Sequence, residues 1–123
     1  MTINFDSEVP IYIQISEGIE DAILSGAFAE DTQVPSTTEI SVGYKINPAT
    51  VLKGMTLLAD QGILYKKRGV GMFVSPGAVA RVLEKRRRVF YAEYVVRLLE
   101  EARKLGISRD QLIAMIQEEQ KNE

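Results

Sequence analysis

The residues best placed for chemistry lie in three short stretches. In Asn47-Pro48-Ala49-Thr50, with Lys53 one turn on, an amide, a hydroxyl and an ammonium fall within the opening turns of one helix. Such groups recognise without covalent change: amides and hydroxyls meet base edges or phosphates, and ammonium groups meet phosphates. In Arg68-Gly69-Val70-Gly71 a guanidinium stands beside two glycines, which let the backbone approach a partner closely. Ser36-Thr37-Thr38-Glu39 has the form of a capping box, and its hydroxyls and first-turn N–H groups are also of a kind that meets phosphate. Covalent chemistry finds no footing. The chain has neither Cys nor His, so disulfides, thiolate nucleophiles, imidazole bases and zinc fingers are excluded. Its acidic residues form no paired constellation, and no catalytic residue, cofactor or metal is expected.

Each residue has a plainer role open to it. Asn47 can be a simple helix cap, a phosphate contact or a base contact, and Ser36 a cap alone. Thr50 can touch phosphate or a thymine methyl, or stand exposed on the helix. Lys53 shares a face with Thr50 and is either a phosphate contact or a solvated lysine. Arg68 reads as a minor-groove or backbone contact, or as a solvated turn residue. The glycines beside it open no helix and so make no nucleotide loop. The candidate DNA-binding set is Ser36, Thr37, Thr38, Asn47, Ala49, Thr50, Lys53, Arg68, Gly69 and Gly71.

Charge placement agrees with a polyanion partner. The net charge is −2, yet the first 44 residues hold eight acidic side chains and no Lys or Arg, whereas residues 62–88 hold eight basic side chains and one acidic. A local basic surface is what a polyanion feels within a Debye length. The 123 residues leave room for one ordinary domain and a short appendage, with 46% hydrophobic residues to pack it. No apolar run is long enough to span a bilayer. The opening ten residues carry Asp6 and Glu8 without a basic residue, unlike a signal peptide, so no membrane partner and a cytoplasmic location are expected.

The elements that must hold these residues follow from periodicity. Ile11, Ile15, Ile19, Ala22 and Ile23 mark a first helix, opened by Pro10 and stopped by Gly26, and residues 28–34 read as a loop. The capping box starts a short helix ending near Tyr44, with Ile40 and Tyr44 inward. Asn47 and Pro48 start another, with Val51, Leu52, Met55, Leu58 and Ala59 as its buried stripe and Gly62 as its stop. Two short helices joined by a tight turn form a helix-turn-helix. Residues 63–74 then read as a β-hairpin about a glycine turn. The fold class is mostly α: a winged helix-turn-helix domain over residues 1–76, followed by two C-terminal dimerisation helices over residues 77–123.

Val9-Pro10-Ile11-Tyr12-Ile13-Gln14-Ile15 resembles the opening of GntR-family transcription regulators. The resemblance runs on through Gly26-Ala27-Phe28, Val34-Pro35-Ser36, Glu39-Ile40, residues 46–51 and the wing residues 68–74. The Ile-Asn-Pro-x-Thr-Val form and the short C-terminal tail are similar to the YtrA-type branch. The resemblance implies a bacterial regulator, usually a repressor that binds an inverted-repeat operator in double-stranded DNA. Three positions depart from the family pattern. Thr38 stands where members usually carry an arginine, Asn47-Pro48 where many carry Ser-Arg or Thr-Arg, and Glu30-Asp31-Thr32 at a usual Pro-Gly-Asp. With those cations gone, binding is expected to be weaker or narrower, with Lys53 and the wing carrying more of the charge.

Residues 78–105 contain no internal Gly or Pro and read as one long helix, stopped by Gly106; Ser108-Arg109-Asp110-Gln111 opens a last one. Their apolar stripes exceed what two helices can bury alone, so a second copy is the expected cover, through Val82, Val89, Phe90, Leu98, Leu112 and Ile116, and folding back on the winged helix is the alternative. An unknown small-molecule effector, if the protein has one, would have to sit in this helical dimer region. A winged-helix protein-interaction module without a DNA role is the alternative reading.

Overall fold

The computed structural model describes residues 1–121 and divides into two compact units, Met1–Glu84 and Lys85–Glu123. In the first unit the helices are α1 (Ile11–Ser25), α2 (Thr37–Tyr44) and α3 (Pro48–Asp60), followed by strands β1 (Leu64–Lys67) and β2 (Gly71–Val74). Helix α4 (Ala78–Phe90) comes next, then a π-helical turn (Tyr91–Val95), α5 (Val96–Lys104) and α6 (Arg109–Lys121). This is the mostly helical winged helix-turn-helix that the sequence pattern implies, followed by a helical region.

The helix ends are set by local chemistry. Pro10 precedes α1, and Gly26 ends it in the left-handed region at φ 85°. The capping box of α2 is complete: Ser36 Oγ accepts from Glu39 N at 3.0 Å, and Glu39 Oε1 accepts from Ser36 N at 3.1 Å. Lys45 turns the chain with a left-handed φ of 55°, and Asn47 Oδ1 accepts from Ala49 N at 2.8 Å to open α3. At the C-terminal end, Ser108 and Gln111 form the expected reciprocal pair, at 2.8 and 3.1 Å.

Helix α1 buries Ile15, Ile19 and Ile23 against Val51, Met55 and Leu58 of α3. Gly54 lets the two helices approach, since a Cβ there would stand 2.7 Å from the Tyr12 carbonyl oxygen. The hairpin pairs antiparallel from Leu64↔Val74 to Lys67↔Gly71, and Leu64 and Val74 close the core. Residues 31–34, expected as loop, also pair with the hairpin. Val34 N donates to Met72 O (3.0 Å) and Val74 N to Thr32 O (3.0 Å), giving the wing a short third edge.

Several expectations change. Leu52 is half exposed, at 51%, because Val51, Gly54, Met55 and Leu58 already fill the inner face of α3; Ala59 is only partly covered. Tyr44 is exposed, at 36%, and does not join the core. The long helix contains the π-helical turn at Tyr91–Val95. Finally, Ala78 and Val82 are fully buried in the core of the first unit. A tight turn, with Ser75 N bonded to Ile63 O and Ala78 N to Ser75 O, brings the start of α4 into that core. Val82 is therefore covered within its own chain and is not free for a partner. Leu112 is likewise buried within the chain, with Ala102.

Candidate nucleic-acid interface

The candidate residues lie at the starts of α2 and α3 and on the wing, all within the first unit. At the start of α2, Ser36 is occupied by its cap, and the Thr37 hydroxyl donates to Met55 Sδ at 3.7 Å, tying α2 to α3. Of the three candidates here, Thr38 is the exposed one. On α3, Asn47 and Ala49 are exposed and Thr50 is half-buried. Asn47 spends one amide oxygen interaction on its cap, while Pro48 at the first helical position gives up no needed N–H.

Lys53 does not extend freely into solvent. Its Nζ lies 4.1 Å from the centroid of the Tyr12 ring, so α1 fixes where the charge of α3 stands. Leu52, assigned to the core by sequence, instead shares a surface groove with Tyr12, Ala49, Lys53 and Thr56. The sequence held the signal. Positions 51, 54, 55 and 58 make a complete buried stripe, and 52 falls off it, beside 49 and 56.

The wing carries the second group. Arg68 and Gly69 are exposed at its tip, where Val70 N donates to Lys67 O at 2.9 Å and Gly69 takes a φ of 77° that favours glycine. Gly71 is half-buried because the Gln33 amide lies over it, and Gln33 Nε2 donates to Val70 O at 2.9 Å. Gln33 thus pins the tip to the third edge, a role that its loop-like sequence context concealed. At the base of the wing the Tyr65 and Phe73 rings stack at 5.6 Å, and Lys67 Nζ lies 4.4 Å from the Phe73 centroid. The Tyr65 hydroxyl donates to Asp31 Oδ1 at 3.3 Å; desolvation, followed by the Asp31 carboxylate, raises this phenol above its ordinary value. Outside the interface, Gln14 clasps the N-terminal segment, bonding Asn4 N and O and Val9 O at 2.8–2.9 Å.

A helix-turn-helix with an exposed second-helix N-terminus and a glycine-tipped wing is an arrangement for duplex DNA. The family profile "Bacterial regulatory proteins, gntR family" matches residues 11–74, the span from the start of α1 to the end of the wing. The chain belongs to this family. Among GntR relatives, the HTH-type transcriptional repressor NagR of Bacillus subtilis is 34% identical over 68% of this chain, which spans only 35% of NagR's length. The HTH-type transcriptional repressor YtrA of the same organism is 29% identical over 91% of this chain and 85% of its own, so the YtrA-type likeness includes the helical region. A GntR-family regulator from Bacteroides thetaiotaomicron, solved by crystallography, superposes with a TM-score of 0.77 at 34% identity, over 91% of this chain and 97% of that one. A crystal structure of AraR(DBD) in complex with operator ORE1 superposes with a TM-score of 0.54 at 28% identity, over 60% of this chain and 90% of that one. The relatives are transcription regulators, not enzymes. Among the described residues, no helix is long and apolar enough to cross a membrane.

Proposed function

We propose that the chain is a sequence-specific transcriptional repressor that binds an inverted-repeat operator as a homodimer. The observation that carries the reading is the exposed opening of α3. There Asn47, Ala49 and the ring-held Lys53 are presented by a helix whose inner face is anchored in the core. Asn47, Thr50 and Lys53 would meet bases and phosphates of the major groove, with Ser36 and Thr38 beside them on the backbone. Arg68, Gly69 and Gly71 would place the wing against the adjacent backbone or minor groove. The operator-bound AraR domain supports the DNA partner, and the relatives named as repressors support the sign of regulation. Dimerisation is supported by the apolar side chains left exposed in the second unit, among them Val89, Phe90, Leu98 and Ile116. A two-fold dimer would set half-sites about one helical turn apart, roughly 34 Å, or a multiple of it.

The test is a selection of duplexes from a random-sequence pool by the purified full-length protein, followed by titration at several salt concentrations. The selected sequences should contain an inverted repeat. Log affinity should fall linearly with log salt, by roughly 0.9 for each phosphate neutralised. Recovery of no duplex, or a flat salt response, would overturn the DNA reading and leave the winged helix as a protein-interaction module.

A further inference from the structure

We propose that Leu52 is a specificity residue that reads the C5-methyl group of a thymine in each half-site. The inference rests on the DNA-binding reading above and names what its recognition helix selects. Leu52 is 51% exposed in the second turn of α3, with no place in the core cluster. Ala49 precedes it by one turn and Thr56 follows by one, and the three share a surface groove with Lys53 and Tyr12. The middle of the exposed side therefore presents one large apolar side chain, Leu52, with Asp60 at the far end of the groove and the Lys53 cation drawn aside onto the Tyr12 ring.

A leucine side chain has no donor or acceptor. In the major groove, the thymine methyl is the apolar feature that the base pairs present. Against a G·C pair, Leu52 would cover the guanine acceptors and the cytosine amino group without replacing their bonds to water, which is unfavourable. Against a thymine, the two apolar surfaces cover each other. The small Ala49 leaves room for that approach. The helix cannot turn to hide Leu52, because Asn47 caps its start, Gly54 seats it against α1, and Val51, Met55 and Leu58 fix its inner face. The consequence is a half-site with one thymine whose methyl group, as distinct from its pairing, contributes to affinity.

The experiment removes that methyl group alone. In a duplex selected from the random-sequence pool by the full-length protein, each thymine of one half-site is replaced in turn by deoxyuridine, and affinity is measured for the native chain and for Leu52→Ala. At one thymine the native chain should lose about fourfold, the scale of one buried methyl(ene) group. Leu52→Ala should bind the thymine and uracil duplexes equally, and its thermal midpoint should match the native one because residue 52 lies outside the core. A native chain indifferent to every uracil substitution would overturn the inference while leaving DNA binding intact. So would a Leu52→Ala chain that keeps the full uracil penalty, since another residue would then meet the methyl. A pool that yields no bound duplex would overturn this inference together with the DNA-binding reading.

Discussion

Lys53 Nζ and the Tyr12 ring centroid stand 4.1 Å apart, joining the recognition helix to the first helix through a cation–π contact. An exposed contact of this kind is worth about 0.5–1 kcal/mol. On the proposed DNA-binding reading, it holds the ammonium in one place before DNA arrives. Tyr12→Leu should therefore weaken binding to all sequences by roughly twofold to fivefold, and Tyr12→Phe, which keeps the ring, should restore it. Lys53→Ala should weaken binding further and lower the magnitude of the log–log salt slope by about one per subunit. Anisotropy titrations on specific and random duplexes measure both quantities. An unchanged salt slope in Lys53→Ala would show that Lys53 meets no phosphate.

Two helical glycines make opposite predictions. A Cβ at Gly54 would stand 2.7 Å from the Tyr12 carbonyl oxygen and 3.2 Å from Ile15 carbons, so α1 and α3 would have to part. Gly54→Ala should destabilise the fold by roughly 1–3 kcal/mol despite alanine's better helix propensity, because strain in a packed core outweighs it. At Gly43 in α2 a Cβ would meet nothing within 4 Å. Gly43→Ala should stabilise by about 0.5–1 kcal/mol. Denaturant melts of the two variants decide the matter, and equal shifts in one direction would refute the close approach of α1 and α3.

The elements of the first unit were legible because each is bounded by local chemistry. Pro10 and Gly26 frame α1, Ser36 and Glu39 open α2, and Asn47-Pro48 opens α3. What escaped were relations between elements. The pairing of residues 31–34 with the wing depends on backbone bonds to Met72 and Val74, which leave no mark on side-chain periodicity. Val82 reads like any other apolar residue of a long helix, and its burial follows from the turn at residues 75–78. Within the candidate site, Asn47 and Lys53 were visible as residue types at a helix start. The Tyr12 ring beneath Lys53 was not, since it lies on another helix 41 residues earlier. Leu52 departs from its pattern because a leucine within a helical stretch suggests burial, whereas Val51, Gly54, Met55 and Leu58 already complete the inner stripe.

Asn47 combines a cap with a candidate contact, and the two roles can be separated. Its Oδ1 accepts from Ala49 N at 2.8 Å. Serine is about as good a cap, whereas alanine costs about 1 kcal/mol. Asn47→Ser should keep the native melting temperature, and Asn47→Ala should lower it. If the amide also reads a base, Asn47→Ser should still lose discrimination between the selected operator and a duplex altered at one position. Competition between those duplexes gives the answer, and unchanged discrimination in Asn47→Ser would reduce Asn47 to a cap.

The expected dimer divides the apolar residues of the helical region into two classes with different signatures. Val82 is fully buried in the core of its own chain, whereas Leu98 is 44% exposed and Phe90 59% exposed. Val82→Ala should destabilise the first unit by roughly 1–3 kcal/mol, since it removes buried methyl groups, and should leave the mass in solution unchanged. Leu98→Asp should act the other way. A charge on an exposed position costs the isolated chain little, but at an apolar interface it would be buried without a partner. Sedimentation at micromolar concentration should show the native chain and Val82→Ala as dimers and Leu98→Asp as a monomer. That monomer should bind a single half-site as the native chain does, yet lose most of its affinity for the inverted repeat, because the second winged helix no longer arrives at high effective concentration. A native chain that sediments as a monomer would refute the dimer. A monomeric Leu98→Asp chain that binds the inverted repeat at native affinity would show that dimerisation is not what joins the two half-sites.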